Sequence, residues 1–190
     1  EKLFEGRPAT GAADLAERVS GDTSAAHALA HSLAVENALG IELPDRFDHE
    51  SGLASAAGQF REWVDGFDPA REQARQDCND VRVIAVARLV VRMGIAAYYF
   101  GAGLASWLAL ESCALWRRHG PCPELSVAIC RISSLASVSR DYRTGYLCGS
   151  QMAGFCEARG WQLEHAQCAY IFESTGSVWF EPLEASLRRL

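Results

Sequence analysis

Two closely spaced glycines near the middle of the chain have a spacing used in nucleotide binding. Gly101-x-Gly103-x-x-Ser106 could place a pyrophosphate at a helix N-terminus. The residues before Gly101 continue backwards as a helical pattern rather than a strand, and the third motif position is serine. Arg131 follows the candidate second strand, "SVAIC", where an acid would be needed to bind the ribose. A nucleotide site at this turn is therefore a secondary hypothesis.

Histidines offer two further candidate sites. His27 and His31 are four residues apart on a predicted helix, which is metal-ligand spacing, but no third ligand is identifiable. His119 and Cys122 could form a nucleophile pair oriented by Asp141. A histidine at a helix end and a buried cysteine explain the second pattern more simply. We predict no catalytic residue, no metal ligand and no cofactor.

Cysteine and lysine usage limits the chemistry. The single lysine, Lys2, excludes a P-loop, a kinase ATP site and a Schiff-base mechanism within this chain. The cysteines are odd in number, contain no CxxC pair and fall within apolar helical patterns. We predict that they are buried small hydrophobic residues of a reduced, cytoplasmic protein: Cys78, Cys113, Cys122, Cys130, Cys148, Cys156 and Cys168.

Charge and hydropathy exclude two classes of partner. The net charge of -6 disfavours a nucleic-acid surface, which requires clustered cations. The uncharged stretch from Met93 to Leu110 approaches the length of a membrane span, but glycines and serines dilute its apolarity. We therefore predict neither nucleic-acid binding nor membrane insertion.

Helix start and stop signals recur along the chain. Asp22-Thr23-Ser24, Asp80 and Asp141 are predicted N-caps, and Asp68-Pro69 starts another helix with proline at its first position. Glycines follow three runs at C-terminal positions: Gly40, Gly120 and Gly160. Helical patterns run into and away from "GIAAYYFGAGLASWLAL", residues 94–110. This stretch is predicted to contain the corner between two buried helices, at Phe100 to Gly103.

Small residues and a repeat of about 40 residues indicate how the helices pack. Gly145, Gly149 and Ala153 recur every four residues and leave a groove for a close neighbour. The separation of Gly120 from Gly160 predicts repeated helix pairs. Polar Ser133, Ser134, Ser137 and Ser139 are predicted to face water, and most aromatic residues to lie in the core.

The predicted fold is all-α, with stacked antiparallel helix pairs of an α-solenoid. Residues 1–44 would form an N-terminal repeat portion, residues 45–80 a variable linker with a short helix, and residues 81–190 the main helix pairs. The pattern ends inside a second pair, so we expect a segment of a longer protein.

The segment from "LASWLALESCALWRRHG" to "FCEARG" resembles the tetratricopeptide-like helical region of large bacterial AAA/STAND signalling ATPases. The matching features are the helix ending in His119-Gly120, Asp141-Tyr142 at the next turn, and Gly145-Tyr146 opening the next helix; "ALGIELP", residues 38–44, also matches. The resemblance spans about residues 24–190 and implies a fold rather than a catalytic site. It implies a regulatory region of hybrid kinase–ATPase–histidine kinases or maltose-activator-like regulators.

The sequence therefore predicts a non-catalytic segment that binds a protein partner or another domain of its own chain, or senses a small-molecule inducer. The candidate ligand or partner surface comprises Tyr98, Tyr99, Trp107 and Tyr146. The alternative is a small-molecule or nucleotide site formed by the Gly101-x-Gly103 turn with these aromatic residues.

Overall fold

The computed structural model describes residues 52–100 and 102–189. Its helices are α1 (Gly52–Asp65), α2 (Pro69–Gln73), α3 (Val81–Phe100), α4 (Ala102–His119), α5 (Pro123–Cys130), α6 (Ile132–Ser139), α7 (Tyr142–Arg159), α8 (Gln162–Ile171) and α9 (Leu183–Arg189). A π-helical turn, Phe172–Gly176, and a short 3-10 helix, Ser177–Trp179, connect α8 to α9. These residues include no strand, which confirms the all-α prediction. The predicted N-terminal repeat, with His27 and His31, lies outside them.

The predicted helix starts at Asp68, Asp80 and Asp141, which lie within the described residues, are capped by these side chains. Asp68 accepts hydrogen bonds from the amides of Ala70 and Arg71, and Asp141 accepts one from Thr144. Asp80 accepts one from the amide of Arg82 at the start of α3. Each aspartate satisfies an amide that the first helical turn leaves without a partner.

Gly120 ends α4 in a conformation that favours glycine. Its φ of 98° lies in the left-handed region. A Cβ there would also lie only 2.6 Å from the carbonyl oxygen of Gln76. Glycine is therefore required twice at this position, for its backbone conformation and for the close approach of another segment.

The apolar stretch around residue 100 is a helical hairpin. Helix α3 ends at Phe100, α4 begins at Ala102, and the two helices pack against each other. The predicted corner at Phe100 to Gly103 includes Gly101 and stays a prediction, although the helices on either side of it pack together. The second strand that a dinucleotide fold would require is contradicted, since "SVAIC" lies within helix α5. Gly101 and the side chains of Tyr98 and Tyr99 lie outside the described parts of the molecule. No helix in those parts combines the length and apolarity needed to cross a membrane.

Helix α5 is the centre of the fold. All of its residues from Leu125 to Cys130 are buried. It packs against α3, α4, α7 and α8, while α6 continues beyond Arg131 and packs against α7. A helix with no water-facing stripe requires neighbours on every side.

The seven cysteines are free and buried, as predicted. Burial raises the pKa of Cys113 and Cys122 to about 12. These two thiols are therefore protonated at neutral pH and act as small apolar groups.

The segment around α2 is fastened to the ends of α4 and α7. The buried Trp116 indole donates a 2.9 Å hydrogen bond to Glu72, and Arg75 lies 2.9 Å from the same carboxylate oxygen. Arg159 donates to the backbone carbonyls of Glu72, Gln73 and Arg75 and pairs with Asp77 at 2.7 Å. These contacts attach part of the predicted 45–80 linker to the C-terminal ends of α4 and α7.

Replacing Trp116 with Phe should lower the free energy of unfolding by about 1–3 kcal/mol, because it removes the bond to Glu72 and leaves space beside Phe155. Urea denaturation measures this loss. Glu72→Gln keeps an acceptor oxygen for the indole and should cost less. An equal loss of unfolding free energy in both variants would show that the volume of the indole ring does not contribute to stability.

Candidate functional site

A cavity of about 460 Å³ lies between the α3–α4 hairpin, the bend joining α5 to α6, and the turns before α9. Pockets of this size hold small organic ligands. The described lining residues are mostly apolar: Val90, Gly94, Ala105, Leu108, Ala109, Ala128, Arg131, Ser134, Leu135, Ser174, Thr175, Val178 and Trp179.

Helical spacing brings these residues to one place. On α3 the lining positions are four residues apart, on α4 they are three or four apart, and the same intervals recur across the α5–α6 bend. Residues at such spacings share one helix face. Glycine and alanine at several of these positions leave the space that larger side chains would fill.

Arg131 is the charged residue of the described lining. Its Nε is buried and makes no hydrogen bond, and no carboxylate among the described residues pairs with its guanidinium. Burial lowers the pKa of Arg131, although an arginine remains protonated at neutral pH. By contrast, Arg88 lies 2.8 Å from Glu124. The cavity therefore has an uncompensated positive charge in its wall.

Gly94 gives the Arg131 side chain its position. A Cβ built on Gly94 would lie 3.0 Å from both Cδ and Nε of Arg131. The arginine thus lies directly over the α3 backbone, where a side chain on residue 94 would press against it.

The hydroxyl groups of the lining differ in what they can offer a ligand. Ser174 and Thr175 donate 2.6 Å hydrogen bonds to the carbonyls of Tyr170 and Ile171, so their free lone pairs act as acceptors. The Ser134 hydroxyl, one turn beyond Arg131, makes no hydrogen bond to described residues. Among the described lining residues, the side chains that can still donate a hydrogen bond to a ligand are therefore Arg131 and the neighbouring Ser134.

Trp179 forms part of the outer wall. Its indole donates a 3.0 Å bond to the carbonyl of Thr175 and packs against Tyr142, with 4.5 Å between ring centroids. The side chain is also 53% exposed. The same residue thus borders both the cavity and the outer surface.

Ion pairs of Arg189 hold the turns between α8 and α9, which form part of the cavity wall. Arg189 contacts both oxygens of buried Glu173, at 2.5 and 2.9 Å, and one oxygen of Glu181 at 2.5 Å. Desolvation opposes the ionisation of Glu173, but hydrogen bonds from Arg189, Ser177 and Ser186 outweigh it and lower its pKa. Charge pairing therefore fixes the turn that carries the cavity wall.

The two described side chains of the predicted aromatic surface, Trp107 and Tyr146, lie in different clusters. Trp107 packs against the cluster that contains Val90 and Leu108. Tyr146 instead donates a 2.6 Å hydrogen bond to Glu181 and contacts the rings of Phe172 and Phe180. Neither Trp107 nor Tyr146 is among the described lining residues of the cavity.

The Cys122–His119–Asp141 nucleophile hypothesis is not supported. Burial raises the pKa of Cys122 to about 12, its thiol donates to Glu124 at 3.2 Å, and Asp141 is engaged by Arg61 and the Thr144 amide. Nor do the described residues contain three or more His, Cys, Asp or Glu side chains placed to hold a metal ion.

Two surface predictions were wrong in part. Ser133 is buried and bonds to the carbonyl of Cys130, so it does not belong to a water-facing stripe; Ser137 and Ser139 have side chains outside the described set. Tyr170, Trp179 and Phe180 are exposed rather than in the core.

Sequence reasoning missed Arg131 as a site residue. Its signal was present as a single charge within the apolar run from Val127 to Val138. Its contact with Gly94, which is distant in sequence, could not be predicted from helical periodicity.

Comparison of the chain with protein-family models, curated proteins and solved structures found no match in any of the three.

Replacing Arg131 with Met should leave the free energy of unfolding unchanged or raise it by about 1 kcal/mol, because a buried donor without a partner is removed. Arg159→Met is the matched comparison. Its terminal nitrogens hold Asp77 and three backbone carbonyls, so its loss should cost about 3 kcal/mol or more. A similar loss in both variants in urea denaturation would show that Arg131 is structural.

Acidification should destabilise the turn held by Glu173. A lowered folded-state pKa means that ionised Glu173 contributes stability above its ordinary value of 4.5, and that this contribution disappears as the pH falls through the lowered pKa. Glu173→Gln should therefore flatten the loss of unfolding free energy between about pH 6 and about pH 3. Glu111→Gln, on exposed α4 surface, should keep the wild-type profile; identical profiles in all three proteins would contradict the assignment.

Proposed function

We propose that this chain is a non-catalytic helical-repeat module that senses a small molecule bound in the cavity beside Arg131. The observation that carries the proposal is a mostly apolar cavity with an uncompensated guanidinium in its wall. Such a charge carries a desolvation cost in the empty protein, and a complementary ligand offsets that cost.

The packing pattern supports a stack of helix pairs. Helix α5 contacts both members of the α3–α4 hairpin, and α8 in turn contacts α5 and α7. Contacts of this kind between helices are what a stack of helix pairs requires, which is the arrangement expected of the tetratricopeptide-like regions that the sequence resembles. The cavity lies where the first hairpin, the α5–α6 bend and the turns after α8 converge.

An exposed apolar face beside the cavity favours a second activity, contact with a protein partner or another domain. This face consists of large side chains between 39% and 63% exposed: Val178, Trp179, Phe180, Leu183 and Leu187. Val178 and Trp179 also line the cavity. Ligand occupancy would therefore alter the surface that a partner contacts, which is the output expected of a regulatory segment of a cytoplasmic signalling protein.

A thermal-shift screen with 1-decanol, indole, decylamine and sodium decanoate tests the sensing function. At least one compound should raise the melting temperature in a saturable manner. Ala105→Phe should abolish the shift by filling the cavity, since Ala105 lines it. Ala114→Phe makes the same change on the exposed side of α4 and should preserve the shift.

Tryptophan fluorescence provides a second measurement. Ligands that raise the melting temperature should change the emission of the wild-type protein but not that of Trp179→Phe, because Trp179 borders the cavity. Failure of all four compounds to bind the wild-type protein would refute the proposed function.

A further inference from the structure

We infer that the cavity selects an amphipathic monocarboxylate, with its carboxylate on Arg131 and its hydrocarbon body against the apolar walls. This inference rests on the proposed sensing function and specifies its ligand class. The walls that would receive the hydrocarbon include Val90, Leu108 and Leu135.

The geometry of the arginine matches a carboxylate. The two terminal nitrogens of a guanidinium form an edge that binds both oxygens of a carboxylate in parallel. On Arg131 the Nε is buried against the α3 backbone beside Gly94, whereas the terminal nitrogens are not among the buried atoms without a partner and pair with no described carboxylate. Pairing these terminal nitrogens with a carboxylate neutralises the charge in one step.

The charge balance of the described lining favours one negative charge. Arg131 is the one cation among the described lining residues, and Ser174 and Thr175 already donate their protons to backbone carbonyls. A phosphate dianion would therefore keep an unneutralised charge among apolar walls. An alcohol would leave the guanidinium unneutralised, and an amine would repel it.

The lining also favours a free acid over the C-terminus of a peptide. A peptide brings an amide N–H and a carbonyl with every residue, and each needs a partner when buried. The described lining offers alkyl groups at Val90, Leu108 and Ala109, which suit a hydrocarbon chain.

Gly94 acts as a positioning residue for this selection. Alanine there would press on Cδ and Nε of Arg131 from 3.0 Å and move the end of a flexible side chain. The variant should therefore fold normally and lose carboxylate affinity while retaining affinity for an uncharged ligand.

Isothermal titration calorimetry with sodium decanoate, 1-decanol, decylamine and decyl phosphate tests the inference, since the four share one hydrocarbon chain. Wild-type protein should bind decanoate at least about tenfold more tightly than each of the others. Arg131→Met should remove the preference for decanoate over decanol and leave decanol affinity unchanged. Arg71→Met removes an equal charge from the exposed surface of α2 and should preserve the preference.

Equal affinity of wild-type protein for decanoate and decanol would overturn the inference while leaving the sensing function intact. Tighter binding of decyl phosphate, or of a leucine-terminated peptide, would also overturn it. Retention of the decanoate preference in both Arg131→Met and Gly94→Ala would exclude Arg131 as its source. Absence of binding by any decyl compound and by indole would instead refute the sensing function itself.

Discussion

The structure depends on the burial of α5 on all sides. Its residues from Leu125 to Cys130 have no access to water, so the α3–α4 hairpin, α7 and α8 must surround it. Glu124, in its first turn, reaches the outside and pairs with Arg88. Arg131 directly follows the buried segment, where the surrounding helices still restrict access to water. The packing of α5 therefore accounts for a charged side chain held in the wall of the cavity.

The cavity arises from missing side-chain volume and from the bend that follows α5. Ser133 bonds to the carbonyl of Cys130 at this bend, and α6 then packs against α7. Gly149 on α7 allows the π-helical turn to pack closely against α7, because a Cβ at Gly149 would lie 2.7 Å from Cδ2 of Phe172. Alanines and a glycine on the facing helices leave the remaining space unfilled. Close packing on one side of α6 thus coexists with an opening on the other.

Local signals made the helix ends predictable, whereas the site depended on contacts between distant segments. Asp68 and Asp141 cap amides two or three residues away, so their roles can be recognised in a short stretch of sequence. The close-packing role of Gly149 was also predictable from its four-residue spacing. Arg131 contacts Gly94, which is 37 positions away in the sequence, and helical periodicity does not predict such a contact. Ser133 was misplaced because its polarity suggested water, while a backbone carbonyl satisfies its hydroxyl inside the protein.

Trp179 is the side chain through which the proposed binding in the cavity would affect the outer surface, because it borders both. A ligand shifts a conformational equilibrium only if it binds the two states with different affinity. The inner walls belong to packed helices, whereas Trp179 follows a π-helical turn and is half exposed. The segment is held by Arg189 on Glu173 at one side and by Tyr142 against the indole at the other. Under the proposed sensing function, a ligand that contacts Trp179 would therefore act on the element that joins the cavity to the exposed apolar face, and this element would connect occupancy of the cavity to the outer surface.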